Sequence, residues 1–324
     1  MQIKKLINSP DTVVDEALTG LALAYADLLG IDGRMIISKS LPDADRVTLV
    51  AYGGAGYGPI SACYVGEGCL DIQVVGDVFA APNPTKIYEA IVKADKGQGV
   101  LLLNLNNPGE LLAGQIAVKM AEKAGTKVKH IVVRDNITDA PRTEAEERRG
   151  LAGAMPLYHI VAAAAREDKN LEEVAALAQF YADNMATVSV VTAFGTHPQT
   201  GAPLGEIPDG YMLSGNDMIA ARSAQETVTY MLETLLRDIS VTAGDKVFVM
   251  VNGYGATTTM EQFVIYKDCV EYLQDRNIEV VACMVGEIMT QQEQAGFQLH
   301  LAKWNGEILR LWQTAAQTPG FVKA

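Results

Sequence analysis

Short apolar runs bounded by Gly, Asp or Asn alternate along the chain with longer segments whose apolar residues recur at helical spacing. In the first helical pattern, over residues 9–29, Val14, Leu18 and Leu21 share one face. The other patterns that predict helices cover residues 85–94, 109–124, 153–166, 171–185, 224–236 and 259–276. The apolar runs that predict strands cover residues 46–52, 72–75, 100–103, 128–133, 187–193, 246–251, 278–285 and 297–301. Strands rich in Val, Ile and Leu that alternate with helices favour parallel sheets covered on both faces.

This alternation restarts near Thr187, after a long helical pattern that ends around Met185. We therefore expect an α/β protein of two domains, over residues 1–186 and 187–324, with mostly parallel sheets flanked by helices. The length of 324 residues agrees with two domains, since one domain commonly has about 100–200 residues.

Composition narrows the function classes without choosing a chemistry. The chain has 26 Lys and Arg against 39 Asp and Glu, a formal charge of −13, which argues against nucleic-acid binding because phosphate contacts need clustered basic residues. No apolar run reaches the roughly 18 residues that span a bilayer, and no long apolar segment follows the N-terminus as in a signal peptide. The four cysteines form no CxxC pair and are interpreted as buried thiols. We expect a soluble, cytoplasmic protein without a nucleic-acid or membrane partner.

Loops that follow strands are the places where α/β folds bind ligands. The loop at residues 53–59 has four glycines and can turn sharply, so that backbone N–H groups point at a ligand oxygen or phosphate. It is not a GxGxxG motif, because Pro59 stands where the third glycine would fall, and no GK[ST] of a P-loop follows it. A tight strand-to-helix turn explains the same glycines, so the spacing alone leaves both interpretations open.

A second candidate loop, at residues 104–110, ends at a predicted helix start. Glu110 would lie in the first helical turn, where a carboxylate gains from the helix dipole, and this is the simpler explanation of the residue. The functional alternative is a general base or an acceptor for a substrate hydroxyl.

The histidines and arginines add weaker candidates. Of the four histidines, only His197 follows a predicted strand in a loop that a ligand can approach, and an ordinary loop histidine explains it as well. No histidine pair has metal-ligand spacing and HExxH is absent, so no metal held by the protein is predicted. The pair Arg148-Arg149 suggests either an anion site or, more simply, a solvated turn with local ion pairs.

Several longer runs identify a family. They are residues 64–71 (YVGEGCLD), 76–84 (GDVFAAPNP), 99–102 leading to Asn106 and Gly109, 149–153 (RGLAG), 251–257 (VNGYGAT), 295–297 and 318–319. In this order they resemble the substrate-binding K subunit of dihydroxyacetone kinases over essentially the whole chain. The resemblance implies two α/β domains of the K-subunit, DegV-like type, a homodimer, and a bound short ketose. It also implies that ATP or ADP with Mg is carried by a partner subunit, often recharged from phosphoenolpyruvate, and that this chain holds no cofactor.

The reactive positions of that family are changed here. The resemblance places Tyr57 where the family has a general-base histidine, and Ser214, within residues 210–218, where a second histidine bonds covalently to the substrate carbonyl. Leu105 and Glu110 replace a lysine and an aspartate. Serine has no nitrogen to form a stable hemiaminal with the substrate carbonyl. Tyr57, with an ordinary tyrosine pKa of about 10, is a poor base at neutral pH.

We therefore expect Glu110, Tyr57 and Ser214 to be catalytic residues. The residues expected to bind the substrate are Gly54, Ala55, Gly56, Leu105 and Asn106. The first hypothesis is a kinase subunit that binds a small ketose or polyol non-covalently, because phosphoryl transfer depends mainly on positioning and charge stabilisation.

Two alternatives stay open. One is a non-catalytic ligand sensor or transcriptional coactivator, because all four reactive positions differ from the family pattern. The other, ranked below it because the loops are small and lined by glycine, is a protein that binds fatty acids or other apolar ligands.

Overall fold

The structure is a computed structural model that describes residues 5–58, 61–207, 210–213 and 218–324. The helices are α1 Val13–Ala24, α2 Pro84–Ala94, α3 Pro108–Lys123, α4 Ala154–Ala165, α5 Leu171–Asp183, α6 Ala224–Asp238, α7 Thr259–Gln274 and α8 Gly306–Trp312. The first seven strands are β1 Leu29–Asp32, β2 Met35–Ser38, β3 Thr48–Ala55, β4 Ile72–Val78, β5 Val100–Leu105, β6 Val128–Val133 and β7 Met185–Ala193. The others are β8 Tyr211–Leu213, β9 Met218–Ile219, β10 Lys246–Gly253, β11 Glu279–Gly286, β12 Ala295–Lys303, β13 Ala316–Gln317 and β14 Val322–Lys323.

The chain forms two compact units, each built from more than one segment. The N-terminal unit contains Leu6–Val133, Ala154–Ala182 and Arg310–Ala324. The C-terminal unit contains Arg134–Gly153 and Asp183–Leu309, together with Lys5. The chain passes from one unit to the other at several points, and the one between Ala182 and Asp183 is nearest to the predicted boundary. A single domain boundary between residues 186 and 187 stays a prediction.

The N-terminal unit is organised around a sheet with strand order β1-β2-β4-β3-β5-β6. Its four strands β4, β3, β5 and β6 pair in parallel, as the alternation of strands and helices predicts. Helices α2 and α3 cover one face through buried residues such as Ile87, Ile91, Ala113 and Ala117. Parallel pairing brings the carboxyl ends of β3 and β5 to the same edge of the sheet, and this edge carries both candidate loops.

The sheet of the C-terminal unit is mainly antiparallel, with strand order β11-β10-β12-β7-β8-β9. Only the β10–β11 pair among its described strands is parallel, so the expectation of mostly parallel sheets is wrong here. The physical reason is the short connection at residues 287–294, which contains no helix, whereas a parallel crossover needs about a dozen residues or more. The α/β class itself is confirmed, because α6 and α7 pack on this sheet through Val228, Leu232 and Ile265.

Arg148 is the largest ionisable side chain buried in the C-terminal unit, with 1% of it exposed. Its guanidinium donates two hydrogen bonds to Asp238, at 2.6 and 3.1 Å, and a third to the carbonyl oxygen of Ala140 at 2.8 Å. Arg149 pairs with Asp139 at 2.8 Å. The ion pairs predicted for the Arg148-Arg149 turn are therefore present, but the Arg148 side chain is buried and not solvated.

The cysteines are free thiols in two kinds of environment. Cys69 and Cys269 are buried, as predicted, whereas Cys63 is partly exposed and Cys283 is exposed. Cys283 lies on β11 at the edge of its sheet, where alternate side chains face away from the core. Within the part of the chain that the structure describes, no helix is both long and apolar enough to cross a membrane.

Candidate functional site

The glycine-rich segment after residue 52 begins as strand and becomes a loop only at Gly56. Strand β3 continues through Ala55, with Gly53 opposite Val75 and Ala55 opposite Val78 across a bulge. A Cβ atom on Gly54 would stand 2.9 Å from the backbone N and O atoms of Ala80. The glycine therefore lets a second stretch of backbone approach the strand closely.

Gly56 makes the turn out of β3 with a φ of +100°, a conformation that favours glycine. A Cβ atom there would stand 2.5 Å from Cε1 of Phe79. Phe79 itself has a φ of +55°, which is strained for a bulky residue and marks a constrained part of the site. The Tyr57 ring packs edge-on against Phe79, with ring centroids 5.1 Å apart. This contact fixes the plane of the Tyr57 ring beside the turn.

Glu110 lies on the first turn of α3 and turns its carboxylate toward the glycine segment. Its Oε1 accepts a hydrogen bond from the backbone N–H of Gly54 at 2.9 Å, and its Oε2 accepts one from Nδ2 of Asn107 at 3.2 Å. A Cβ atom on Gly53 would stand 3.3 Å from Oε1, so glycine leaves room for the carboxylate. Burial raises the pKa of Glu110, while the hydrogen bonds from Gly54 and Asn107 oppose that rise. The group is placed as an acceptor or a base.

A hydrogen-bonded network behind Glu110 holds the start of α3. The hydroxyl of Tyr52 donates to the carbonyl oxygen of Glu110 at 3.0 Å and contacts Nε2 of His130 at 3.2 Å. The same His130 nitrogen contacts Oδ1 of Asn104 at 2.8 Å, and Nδ2 of Asn104 donates to the carbonyl oxygen of Leu105 at 2.7 Å. Burial raises the pKa of Tyr52, so its hydroxyl stays neutral and remains a donor.

The predicted binding residues Leu105 and Asn106 lie at the carboxyl end of β5, the parallel neighbour of β3. Asn106 is 8% exposed, and its backbone N–H donates to the carbonyl oxygen of Val133 at 2.9 Å. The structure thus brings these two residues, Glu110 and the glycine segment to one edge of the N-terminal sheet. Leu105 adds an apolar side chain and no charge to this edge.

Two further predicted residues belong to the C-terminal segments. Ser214 lies outside the described residues, between strands β8 and β9, which pair as an antiparallel hairpin. Nδ1 of His197 accepts a hydrogen bond from the backbone N–H of Gln199 at 3.2 Å, a contact within its own turn. The hairpin strands were absent from the sequence prediction because each has only two or three residues.

Asn107 is a site residue that the sequence prediction missed. An Asn directly before a Pro at a helix start is typical of an N-cap. Asn107 does occupy the N-cap position of α3, but its side chain makes no cap hydrogen bond and donates instead to Glu110. The sequence therefore indicated a polar role for Asn107 at the helix start, but its hydrogen-bond partner is the Glu110 side chain and not the helix backbone.

A cavity of about 400 Å³ lies elsewhere in the N-terminal unit, beside β2 and β4. Its charged lining is paired, since Arg34 donates to Asp15 at 2.7 Å and Lys86 donates to Glu89 at 2.7 Å. It includes none of the predicted site residues. Among the described residues there is no group of three or more His, Cys, Asp or Glu arranged to hold a metal ion.

Comparison with known proteins gives one consistent family. The family model for the Dak1 domain matches residues 19–320. The chain is 35% identical over 318 residues to the dihydroxyacetone-binding subunit DhaK of the PTS-dependent dihydroxyacetone kinase of Lactococcus lactis subsp. lactis, covering 94% of each protein. It is 36% identical over 318 residues to the corresponding subunit of kinase 1 of Listeria innocua, covering 94% of this chain and 95% of the relative. A solved dihydroxyacetone kinase operon co-activator has the same fold, with a TM-score of 0.89 at 24% identity over 95% of this chain and 98% of that one.

Proposed function

The chain belongs to the Dak1 domain family, and from this premise we propose that it is the substrate-binding subunit of a dihydroxyacetone-kinase-like phosphotransferase. The substrate is a small ketose or polyol that binds non-covalently. The observation that carries this proposal is the Glu110 carboxylate, which is buried, bonded to the Gly54 N–H and held at the carboxyl ends of β3 and β5. Relatives named as dihydroxyacetone-binding subunits match over nearly their full length, which supports the same role here.

Glu110 acts on a hydroxyl of the substrate in this proposal. Its carboxylate accepts the hydroxyl proton or orients the oxygen for attack on the phosphoryl group, and such general-base assistance is worth about 10²–10⁴-fold in rate. Tyr57 and Asn106 supply hydrogen bonds to the other substrate oxygens. The family resemblance gives Tyr57 and Ser214 in place of the family's two histidines, so the carbonyl carbon of a ketose stays uncaptured.

The nucleotide belongs to a second subunit in this proposal. The chain has no P-loop and a net charge of −13, which suits a subunit that does not itself hold ATP phosphates. ATP or ADP with Mg is carried by a nucleotide-bearing partner, and the dihydroxyacetone kinases of the two bacterial relatives are named as PTS-dependent. We place the complex in the cytoplasm, with this chain as a homodimer.

The test is reconstitution with nucleotide-bearing subunits of dihydroxyacetone kinases, supplied either with ATP or with a phosphoenolpyruvate-driven phosphotransferase mixture. Dihydroxyacetone, erythrulose, glycerol and erythritol are offered one at a time, and phosphorylated product is measured by mass spectrometry. We expect product from at least one of them, which the nucleotide-bearing subunit alone does not form. Absence of product from all four with every donor contradicts the proposal.

The pH dependence of turnover provides a second check. Burial raises the pKa of Glu110, and a general base works only when ionised, so activity should rise with pH through a midpoint above the ordinary glutamate range of about 4.3–4.5. The measurement is kcat/KM against pH for the best substrate, with the partner subunit in excess. A Glu110→Gln variant should lack this acidic limb in its residual activity, and a limb that persists in the variant assigns the titration to another group.

A second candidate function is a ligand sensor or transcriptional coactivator derived from the kinase subunit. What favours it is the family resemblance, which gives changed residues at all four reactive positions: Tyr57, Leu105, Glu110 and Ser214. It predicts saturable binding of a short polyol or ketose without phosphorylation, and association with a transcription regulator encoded nearby. Efficient turnover in the reconstituted system contradicts it.

A further inference from the structure

A second glycine-rich loop meets a carboxylate in the C-terminal unit. The loop follows β10, which ends at Gly253, and Glu287 directly follows β11, which ends at Gly286. Strands β10 and β11 are parallel neighbours, so the loop and Glu287 lie at the same edge of their sheet. This edge contains none of the residues at the Glu110 edge.

The contacts at this edge are close and specific. A Cβ atom on Gly253 would stand 2.1 Å from Oε1 of Glu287, so a larger residue would displace the carboxyl group from this position. Nε2 of Gln262 donates a hydrogen bond to Oε1 of Glu287 at 2.5 Å, and the backbone N–H of Gly255 lies near the same carboxylate. Partial desolvation raises the pKa of Glu287, while the nearby Gly255 N–H and the Gln262 amide oppose that rise.

The arrangement repeats the one around Glu110. In both units glycine lies at or next to the end of a strand, and the carboxylate comes from the segment after a parallel neighbouring strand. Glu110 accepts hydrogen bonds from the N–H of Gly54 and the amide of Asn107, while Glu287 accepts one from the amide of Gln262 and has the N–H of Gly255 nearby. Each carboxylate also stands over a glycine at the strand end. The two edges therefore offer the same set of chemical groups.

Gln262 gives an independent sign of a missing partner. The residue is 1% exposed, and its Nε2 donates both to the carbonyl oxygen of Thr257 at 2.9 Å and to Glu287. Its Oε1 is buried and accepts no hydrogen bond from any residue that the structure describes. A buried amide oxygen without a donor is unfavourable by about 1–3 kcal/mol, so a donor is expected at this position.

Asn252 holds the backbone that directly follows Glu287. Its Oδ1 accepts hydrogen bonds from the backbone N–H groups of Ile288 and Met289, at 2.8 and 2.9 Å, and its Nδ2 donates to the carbonyl oxygen of Met289 at 2.8 Å. Asn252 is fully buried, whereas Glu287 and Gly255 are exposed. The backbone beside Glu287 is thus fixed by the fold, and the Glu287 side chain is open to a ligand from solvent.

We propose that Glu287, Gln262 and the Gly255 N–H form a second binding site, which takes a small neutral polyhydroxylated molecule. The exposed carboxylate of Glu287 selects a ligand that donates hydroxyl protons, and its negative charge disfavours an anion. The choice of short polyols and ketoses as ligand class rests on the proposed function of the Glu110 edge, whose groups this site repeats.

The sequence allows both edges to be observed in one experiment. Tyr-Gly occurs three times, at residues 52–53, 57–58 and 254–255. A full-length chain labelled with ¹³C at the Tyr carbonyl and ¹⁵N at Gly therefore gives carbonyl-linked amide signals from Gly53, Gly58 and Gly255 alone. These signals are followed by NMR during titration with glycerol and with dihydroxyacetone, and acetone, which has the same three-carbon chain without hydroxyls, is the control ligand.

We expect the Gly255 signal to shift saturably with glycerol or dihydroxyacetone and not with acetone. Glu287→Gln should weaken this binding about tenfold or more, because it removes a hydrogen bond to a charged group, and should leave the Gly53 and Gly58 shifts unchanged. Gln262→Met, whose side chain has a similar length, is the second variant in case Glu287→Gln disturbs the loop. It should weaken ligand binding as well. Glu279→Gln is the matched control, since this exposed carboxylate on β11 stands 3.8 Å from Lys246 and away from the loop.

The outcomes separate this site from the Glu110 edge. A Gly255 signal that does not move, moves without saturation, or moves equally in Glu287→Gln overturns the second site, whatever Gly53 and Gly58 show. Movement of Gly255 with no movement of Gly53 and Gly58 supports the second site and counts against the proposed function at Glu110.

Discussion

A Glu110→Gln variant is expected to turn over its substrate about 10²–10⁴-fold more slowly than the wild-type chain in the reconstituted kinase. The substitution keeps the size of the side chain and leaves Oε1 able to accept the Gly54 N–H, which now stands at 2.9 Å. It removes the negative charge and the ability to take a proton from a substrate hydroxyl. The expected loss therefore falls on kcat more than on KM, because charge develops on the attacking oxygen in the transition state.

The measurement is steady-state kinetics with the partner subunit saturating. Glu122→Gln is the matched control, because Glu122 lies on the same helix α3 and is exposed. Glu110→Asp is the informative intermediate, since the family resemblance gives an aspartate at this position, and we expect it to retain more activity than Glu110→Gln. Equal kcat values for the wild type and Glu110→Gln would remove Glu110 from the reaction and leave it a structural role at the start of α3.

The pattern of apolar residues predicted the elements that place Glu110 closely. Strand β6 has the predicted bounds of residues 128–133, and α3 at Pro108–Lys123 differs from the prediction by one residue at each end. These segments succeed because β6 ends in an apolar run at residues 131–133 and the proline fixes the helix start. Short elements were not predicted from the pattern. Strands β1 and β2, of four residues each, form a hairpin where the sequence predicted the end of a helix or no element.

The candidate site shows the same division between local and distant information. The rule that ligands bind at strand ends placed Glu110 and Asn106 at one edge, because that rule depends only on the order of strands. The strained Phe79 and the Tyr52 hydroxyl contribute through contacts between residues far apart in sequence, which periodicity does not encode. Glu287 was missed for this reason, since its partner loop precedes it by a whole helix and strand.

An Asp238→Ala variant is expected to lower the unfolding free energy of the C-terminal unit by about 3–5 kcal/mol, because it leaves a buried arginine without its counter-charge. Asp238 is the last residue of α6, and its side chain is 11% exposed. Its carboxylate accepts two hydrogen bonds from Arg142 and two from Arg148, so alanine removes all four at once. The partly exposed Arg142 can be solvated, whereas Arg148, 1% exposed, cannot.

Buried cysteines allow each unit to be followed separately, which matters because a two-domain chain need not unfold in one step. Cys269 is fully buried in the core of the C-terminal unit, and Cys69 is 1% exposed in the N-terminal unit. Under native conditions, with labelling slow relative to reclosing, the thiol labelling rate follows the population of the open state. The expected change is an increase of about 10²–10⁴-fold in the labelling rate of Cys269, with Cys69 unchanged, measured by peptide mass spectrometry.

The double variant Arg148→Met with Asp238→Leu is the decisive control for this prediction. It removes the buried charge together with its partner, and such apolar replacements of buried ion pairs are often neutral or stabilising. Cys269 in the double variant should therefore be labelled far more slowly than in Asp238→Ala, although both have lost the same carboxylate. Equal acceleration in the two variants would mean that the lost hydrogen bonds at the end of α6, and not the uncompensated guanidinium of Arg148, account for the destabilisation. An acceleration of Cys69 equal to that of Cys269 would show instead that the two units unfold together.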